Sequence, residues 1–87
     1  MYDWDESNET HVGRHGVEPY EAEEALEDPD RVGVAAYNVG GETRWATLGA
    51  TEGGRILFVV LTRRRGRIRV ATARDAEPRE KRRYRRR

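Results

Sequence analysis

The sequence predicts an α+β fold: two N-terminal helices, a four-stranded antiparallel sheet and a C-terminal helix, in one domain spanning residues 1–87. Three observations predict it. Residues 31–74 break into four strand-like runs at Gly40-Gly41, Gly53-Gly54 and Arg65-Gly66, short glycine-containing links of the kind that close hairpins. Two helix-like stretches precede these runs and one follows. The charge is also divided by position. Residues 1–30 carry eleven acids and one base, a net of −10, whereas residues 31–87 carry sixteen bases and five acids, a net of +11.

Residues 5–15 suit a helix. Asp3 or Asp5 can cap its N-terminus, acids in the first turn suit the dipole, and Gly16 offers a left-handed stop. Residues 19–27 form the second helix, with Pro19 at a first helical position and Asp28-Pro29-Asp30 as the terminating turn. Both helices are short and must dock on another layer to persist.

That layer is an antiparallel meander of strands 31–38, 43–51, 55–64 and 67–74. The run Ile56-Leu57-Phe58-Val59-Val60-Leu61 places the third strand centrally. In the fourth, Ile68 and Val70 point one way and Arg67 and Arg69 the other. We therefore expect one apolar face covered by helices and a second, arginine-bearing face left open. Residues 77–87 read as a last helix that frays into a basic tail, with Glu77 and Lys81 spaced to pair.

Composition bounds the function. A chain of 87 residues supports one small core. Mean hydropathy is −1.00 and 38% of residues are charged, but the apolar residues are clustered and periodic, which argues against a disordered chain. The longest apolar run is far too short to span a membrane, and the acidic N-terminus does not resemble a signal peptide. There is no Cys, hence no disulfide and no thiolate metal site; a cytoplasmic location is the default expectation. The +11 segment calls for a polyanionic partner.

Three stretches together resemble one family. The first is Trp4-Asp5 and Asn8, followed by Arg14-His15-Gly16-Val17 and Glu21-Ala22. The second is Arg44-Trp45-Ala46-Thr47-Leu48-Gly49. The third runs from Thr62-Arg63-Arg64 through Arg67-Ile68-Arg69-Val70-Ala71-Thr72-Ala73-Arg74 to Glu80 and Tyr84. Their order and spacing resemble the BrnT (DUF497) toxins, RelE-like ribonucleases of type II toxin–antitoxin pairs. Arg14 stands where that family usually has Lys, which keeps the charge and changes the donor geometry. The resemblance implies a RelE-like fold and metal-independent endoribonuclease activity that inhibits translation. It also implies neutralisation by a BrnA-like antitoxin with a DNA-binding domain. A homodimer and a toxin–antitoxin heterotetramer are both compatible assemblies.

RNA cleavage without a metal uses the substrate's own 2′-OH as nucleophile. It needs a base, cationic donors for the crowded phosphorane, and an acid for the leaving oxygen. Arginine suits the cationic task because its planar fork matches phosphate oxygens. Arg64, Arg69 and Arg74, on the last two strands, are the leading phosphate ligands, with solvated sheet-face charge as the alternative. Arg14, Arg44 and Arg67 are candidate RNA-binding residues. His15 is the candidate acid or base, since histidine changes charge nearest neutral pH; a helix-capping role explains its placement equally well. His11, four residues earlier, shares a helix face with it. Two histidines do not complete a metal site, and we expect neither metal nor cofactor. Tyr84 is a candidate for stacking or proton donation, or an anchor for its helix. Glu80 reads as a helix-surface charge or a base, and Trp4 and Trp45 as core or partner-facing rings. The alternative function is a non-catalytic nucleic-acid-binding or partner-assembly module, which would bind RNA without cleaving it.

Overall fold

In the computed structural model, which describes residues 1–87, the chain runs α1 (Glu6–Arg14), α2 (Pro19–Glu27), β1 (Val32–Val39), β2 (Glu42–Ala50), β3 (Ile56–Arg64), β4 (Arg67–Asp75) and α3 (Pro78–Arg85). Every expected element is present, and the arrangement is α+β.

Local chemistry explains the helix ends. Asp5 caps α1: its carboxylate accepts from the Asn8 N–H at 3.2 Å, and the Asn8 side chain accepts in return from the Asp5 N–H at 2.8 Å. Gly16, beyond the C-cap His15, adopts the left-handed φ of 72° that releases the chain from the helix. Pro19 opens α2, and Glu21 accepts from the Glu18 N–H at 3.0 Å. Asp28 leaves the helix in an extended conformation.

The sheet is a meander of order β1-β2-β3-β4, antiparallel throughout. The register slips once at Val34 in β1 and once at Ala71 in β4, where a bulge inserts an extra residue. The outer edge of β4 is covered. Tyr2 bridges Ile68, the Asp3 N–H donates to the Ile68 carbonyl at 2.8 Å, and the Ile68 N–H donates to the Met1 carbonyl at 3.0 Å. The Asn8 amide donates to the Val70 carbonyl at 3.1 Å, which ties α1 to the same edge. A long bare edge would template pairing with another chain.

Helices cover both sheet faces, not one as the sequence suggested. Val12, Val17, Ala22 and Ala25 of the N-terminal segment pack on Leu57, Val59, Val70 and Ala73. On the opposite face, Leu48 and Ile56 pack with Ala76 and with Tyr84 of α3, flanked by Phe58 and Val32. The reason lies in the uninterrupted run 56–61. Side chains alternate along a strand, so six consecutive apolar residues supply both faces and both must be sheltered. Gly49 lets α2 lie against β2, because a Cβ there would run into the Ala25 carbonyl. α3 covers only one end of its face; the other end carries the arginines and stays open.

Candidate functional site

The open end of the sheet and α1 enclose a cleft of about 610 Å³. Its floor is built from cross-strand partners. Arg44 of β2 lies opposite Thr62 of β3, and Thr62 lies opposite Arg69 of β4, so the three share one rung of the ladder. Directly paired residues stand roughly 5 Å apart, so the small Thr62 leaves a slot between two guanidinium groups. Thr62 is itself buried, its hydroxyl donating to the Thr43 carbonyl at 2.8 Å. Arg64, two residues on, extends the floor, and Glu6, Thr10, His11 and Arg14 of α1 form the facing wall. Four arginines thus face two carboxylates, Glu6 and Glu42, and the only apolar lining residues are Val70 and Ala71.

The floor arginines differ in how they are held. Arg69 is pinned: Nη2 donates to Asp5 Oδ1 at 3.2 Å, Nη1 lies 3.0 Å from Asp5 Oδ2, and Asp3 is 3.6 Å away. Its side chain is only 12% exposed, so the guanidinium enters the cleft already oriented. The hydrogen bond from Arg69 is also the main influence that lowers the Asp5 pKa. Arg44 lies 3.6 Å from Glu42, too far for a hydrogen bond, and its buried Nε has no acceptor. The side chain as a whole is 33% exposed and lines the cleft, so its cationic end is open to an anion. Arg64 is exposed and forms no ion pair.

The candidate residues do not all meet. Arg14, Arg44, Arg64 and Arg69 line the cleft. Arg67 does not; it lies with Arg64 and Arg65 around an adjoining recess near Asp3 and Asp5. His15 also misses the cleft and occupies the C-cap of α1. His11 takes the wall position instead, its Nε2 3.1 Å from Thr72 Oγ1 and its ring edge-on to His15 at 5.5 Å between centroids. The sequence held the signal for it: His11 lies three residues before Arg14, so both project from one face of α1.

Arg74 and Tyr84 are engaged elsewhere. Arg74 makes a two-pronged contact to Glu80, at 2.9 and 3.1 Å, and lies 4.3 Å over the Phe58 ring. The paired arginine holds the Glu80 carboxyl below its usual pKa. Tyr84 is buried and donates to Asp28, which also accepts from the Ala50 N–H at 2.8 Å. Burial, then the charge and hydrogen bond of Asp28, push the Tyr84 hydroxyl pKa up. Both side chains fasten α3 to the sheet, outside the cleft.

The acidic segment is not only a back surface. Asp3 and Asp5 reach Arg69, Glu21 reaches Arg55 at 2.9 Å, and Asp30 reaches Arg87 of the basic tail at 3.1 Å. No three His, Asp or Glu side chains come together as a metal-holding group. No helix is long and apolar enough to cross a membrane.

Compared with curated proteins one at a time, the chain matches none. A family model does match it, over residues 4–80, and its description is the ribonuclease toxin BrnT of type II toxin–antitoxin systems. That span takes in α1, the whole sheet and every residue of the cleft, so the chain belongs to the BrnT family of ribonuclease toxins.

Proposed function

We propose that the chain is a metal-independent endoribonuclease acting in the cytoplasm as a single domain, and that RNA lies in the cleft between α1 and the open sheet face. The observation that carries this reading is the Arg44–Thr62–Arg69 rung, with Arg69 held in place by Asp5 on one side and Arg44, which has no hydrogen-bonded carboxylate, on the other. A phosphate between them gains charge-assisted hydrogen bonds from both, and Arg64 adds a third cation.

The 2′-OH of the nucleotide attacks the adjacent phosphorus, the 5′-oxygen of the next nucleotide leaves, and a 2′,3′-cyclic phosphate results. Arginines already in place stabilise the charge that builds on the phosphorane, and one such donor typically supplies about 2.7–4 kcal/mol. His11 faces the arginine floor and is the group best placed to move a proton. Arg14 guides the backbone along the wall. DNA lacks the nucleophile and is not cut. Loss of messenger RNA arrests translation, and a BrnA-like antitoxin with a DNA-binding domain neutralises the toxin.

The test is incubation of the purified chain with single-stranded RNA and with DNA of the same sequence, in a chelator. RNA fragments ending in 2′,3′-cyclic phosphate, with DNA intact, support the proposal. Intact RNA, or cleavage only after a divalent ion is restored, overturns it.

A further inference from the structure

The hairpin joining β3 to β4 is built against its own stability. Arg64 and Arg67 are direct cross-strand partners, so two like charges face each other at the mouth of the turn. The turn residues are Arg65 and Gly66, both at positive φ, 55° and 76°. Such two-residue turns favour Asn, Asp or Gly at the first position, and Arg65 is the only non-glycine residue of the chain in the left-handed region. Arg63, Arg64, Arg65 and Arg67 are all exposed, and none has a carboxylate partner or a side-chain hydrogen bond. Asp3 and Asp5 line the same recess but bind Arg69. Strain and repulsion concentrated at one exposed point mark a site kept for a ligand.

We propose that this hairpin tip is a second phosphate-binding element, with Arg65 and Arg67 holding RNA backbone beyond the phosphate that is cut. The inference rests on the reading that RNA occupies the cleft. Arg64 borders both the cleft and the recess of about 510 Å³ at the tip, so a strand leaving the cleft over Arg64 runs onto Arg65 and Arg67. A trinucleotide fills the cleft alone; a longer RNA reaches both sites and is the preferred substrate.

Arg65→Asn tests it, because asparagine tolerates the left-handed turn and removes the charge. The full chain is titrated over a range of salt with a labelled long single-stranded RNA and with a labelled trinucleotide, both 2′-O-methylated so that they cannot be cut. Cleavage of unmodified RNA and thermal unfolding are recorded beside it. We expect Tm to rise by about 4–8 °C as backbone strain and charge repulsion at the turn are relieved. Affinity for the long RNA falls several-fold, its salt slope shrinks by roughly 0.7 per lost phosphate contact, and trinucleotide binding is unchanged. Arg67→Gln shows the same selective loss. Unchanged affinity and salt slope for the long RNA overturn the proposal, as does equal loss on both RNAs. An unaltered chain that binds no RNA overturns the cleft reading along with it, whereas an unaltered chain that binds and cleaves while Arg65→Asn behaves identically overturns the hairpin alone.

Discussion

Asp5 and Arg69, 64 residues apart in sequence, hold each other through two oxygen–nitrogen contacts of 3.2 and 3.0 Å. The same Asp5 carboxylate caps α1, so one side chain starts the helix that walls the cleft and aims an arginine on its floor.

Arg64 and Arg69 therefore respond differently to removal. Arg64→Ala is expected to lower the cleavage rate about 10²- to 10³-fold with no loss of Tm, since Arg64 is exposed, unpaired and opposite a like charge at Arg67. Arg69→Ala loses similar activity and also destabilises the fold by roughly 1–3 kcal/mol, because two carboxylates lose their partner. Cleavage rates beside thermal melts separate the two outcomes.

His11→Gln is expected to lower kcat about 10²- to 10⁴-fold while KM changes little, as for a group that moves a proton. His15→Gln, away from the cleft, leaves kcat close to the parent value. The reverse ranking in the same assay would reassign the proton-transfer role to His15.

Arg74→Met and Tyr84→Phe act on stability. The first unpairs Glu80 and the second leaves Asp28 without its buried donor, each destabilising by about 1–2 kcal/mol, a fall in Tm of several degrees. Below the transition, both variants keep near-parent cleavage rates. A large loss of rate in a folded sample would place Arg74 or Tyr84 in the chemistry.

Acid weakens the fold in a defined direction. Hydrogen bonds from Arg69, Arg55 and Arg74 hold Asp5, Asp75 and Glu80 below their usual values of 3.8, 3.8 and 4.5. A carboxylate whose folded pKa is lowered contributes stability in full above its unfolded value and loses it as pH falls through the folded one. Denaturant midpoints should thus be level above these values and decline below them. Asp5→Asn should flatten part of that decline.

Gly49→Ala is expected to destabilise by about 1–3 kcal/mol or prevent folding, since its Cβ meets the Ala25 carbonyl and α2 must retreat from β2. Soluble yield and Tm report it.

Much of this was legible in the sequence for local reasons. Pro19, Gly16 and the three glycine-bearing turns act on their own neighbourhoods, and the chain follows them. The cleft was half legible. Arg44, Arg64 and Arg69 stand out as arginines on strands, but their meeting on and beside one rung depends on the β2–β3 register, which the loop over residues 51–55 does not dictate locally. The places of Arg74 and Tyr84 outside the cleft are not legible locally, because the partners that hold them, Glu80, Phe58 and Asp28, lie on other elements or across the sheet. In the sequence, the pairing of His11 with His15 along the helix is more visible than its alignment with Arg14.

The two walls of the cleft come from opposite ends of the chain. α1 opens the fold in order along the chain, whereas Arg69 lies on the last strand and is held by Asp5. Contacts of such sequence separation form late in folding. A chain cut short before β4 keeps Arg44 and Arg64 but lacks both Arg69 and the strand on which α1 docks. Without β4 the cleft has neither its helical wall nor its oriented arginine.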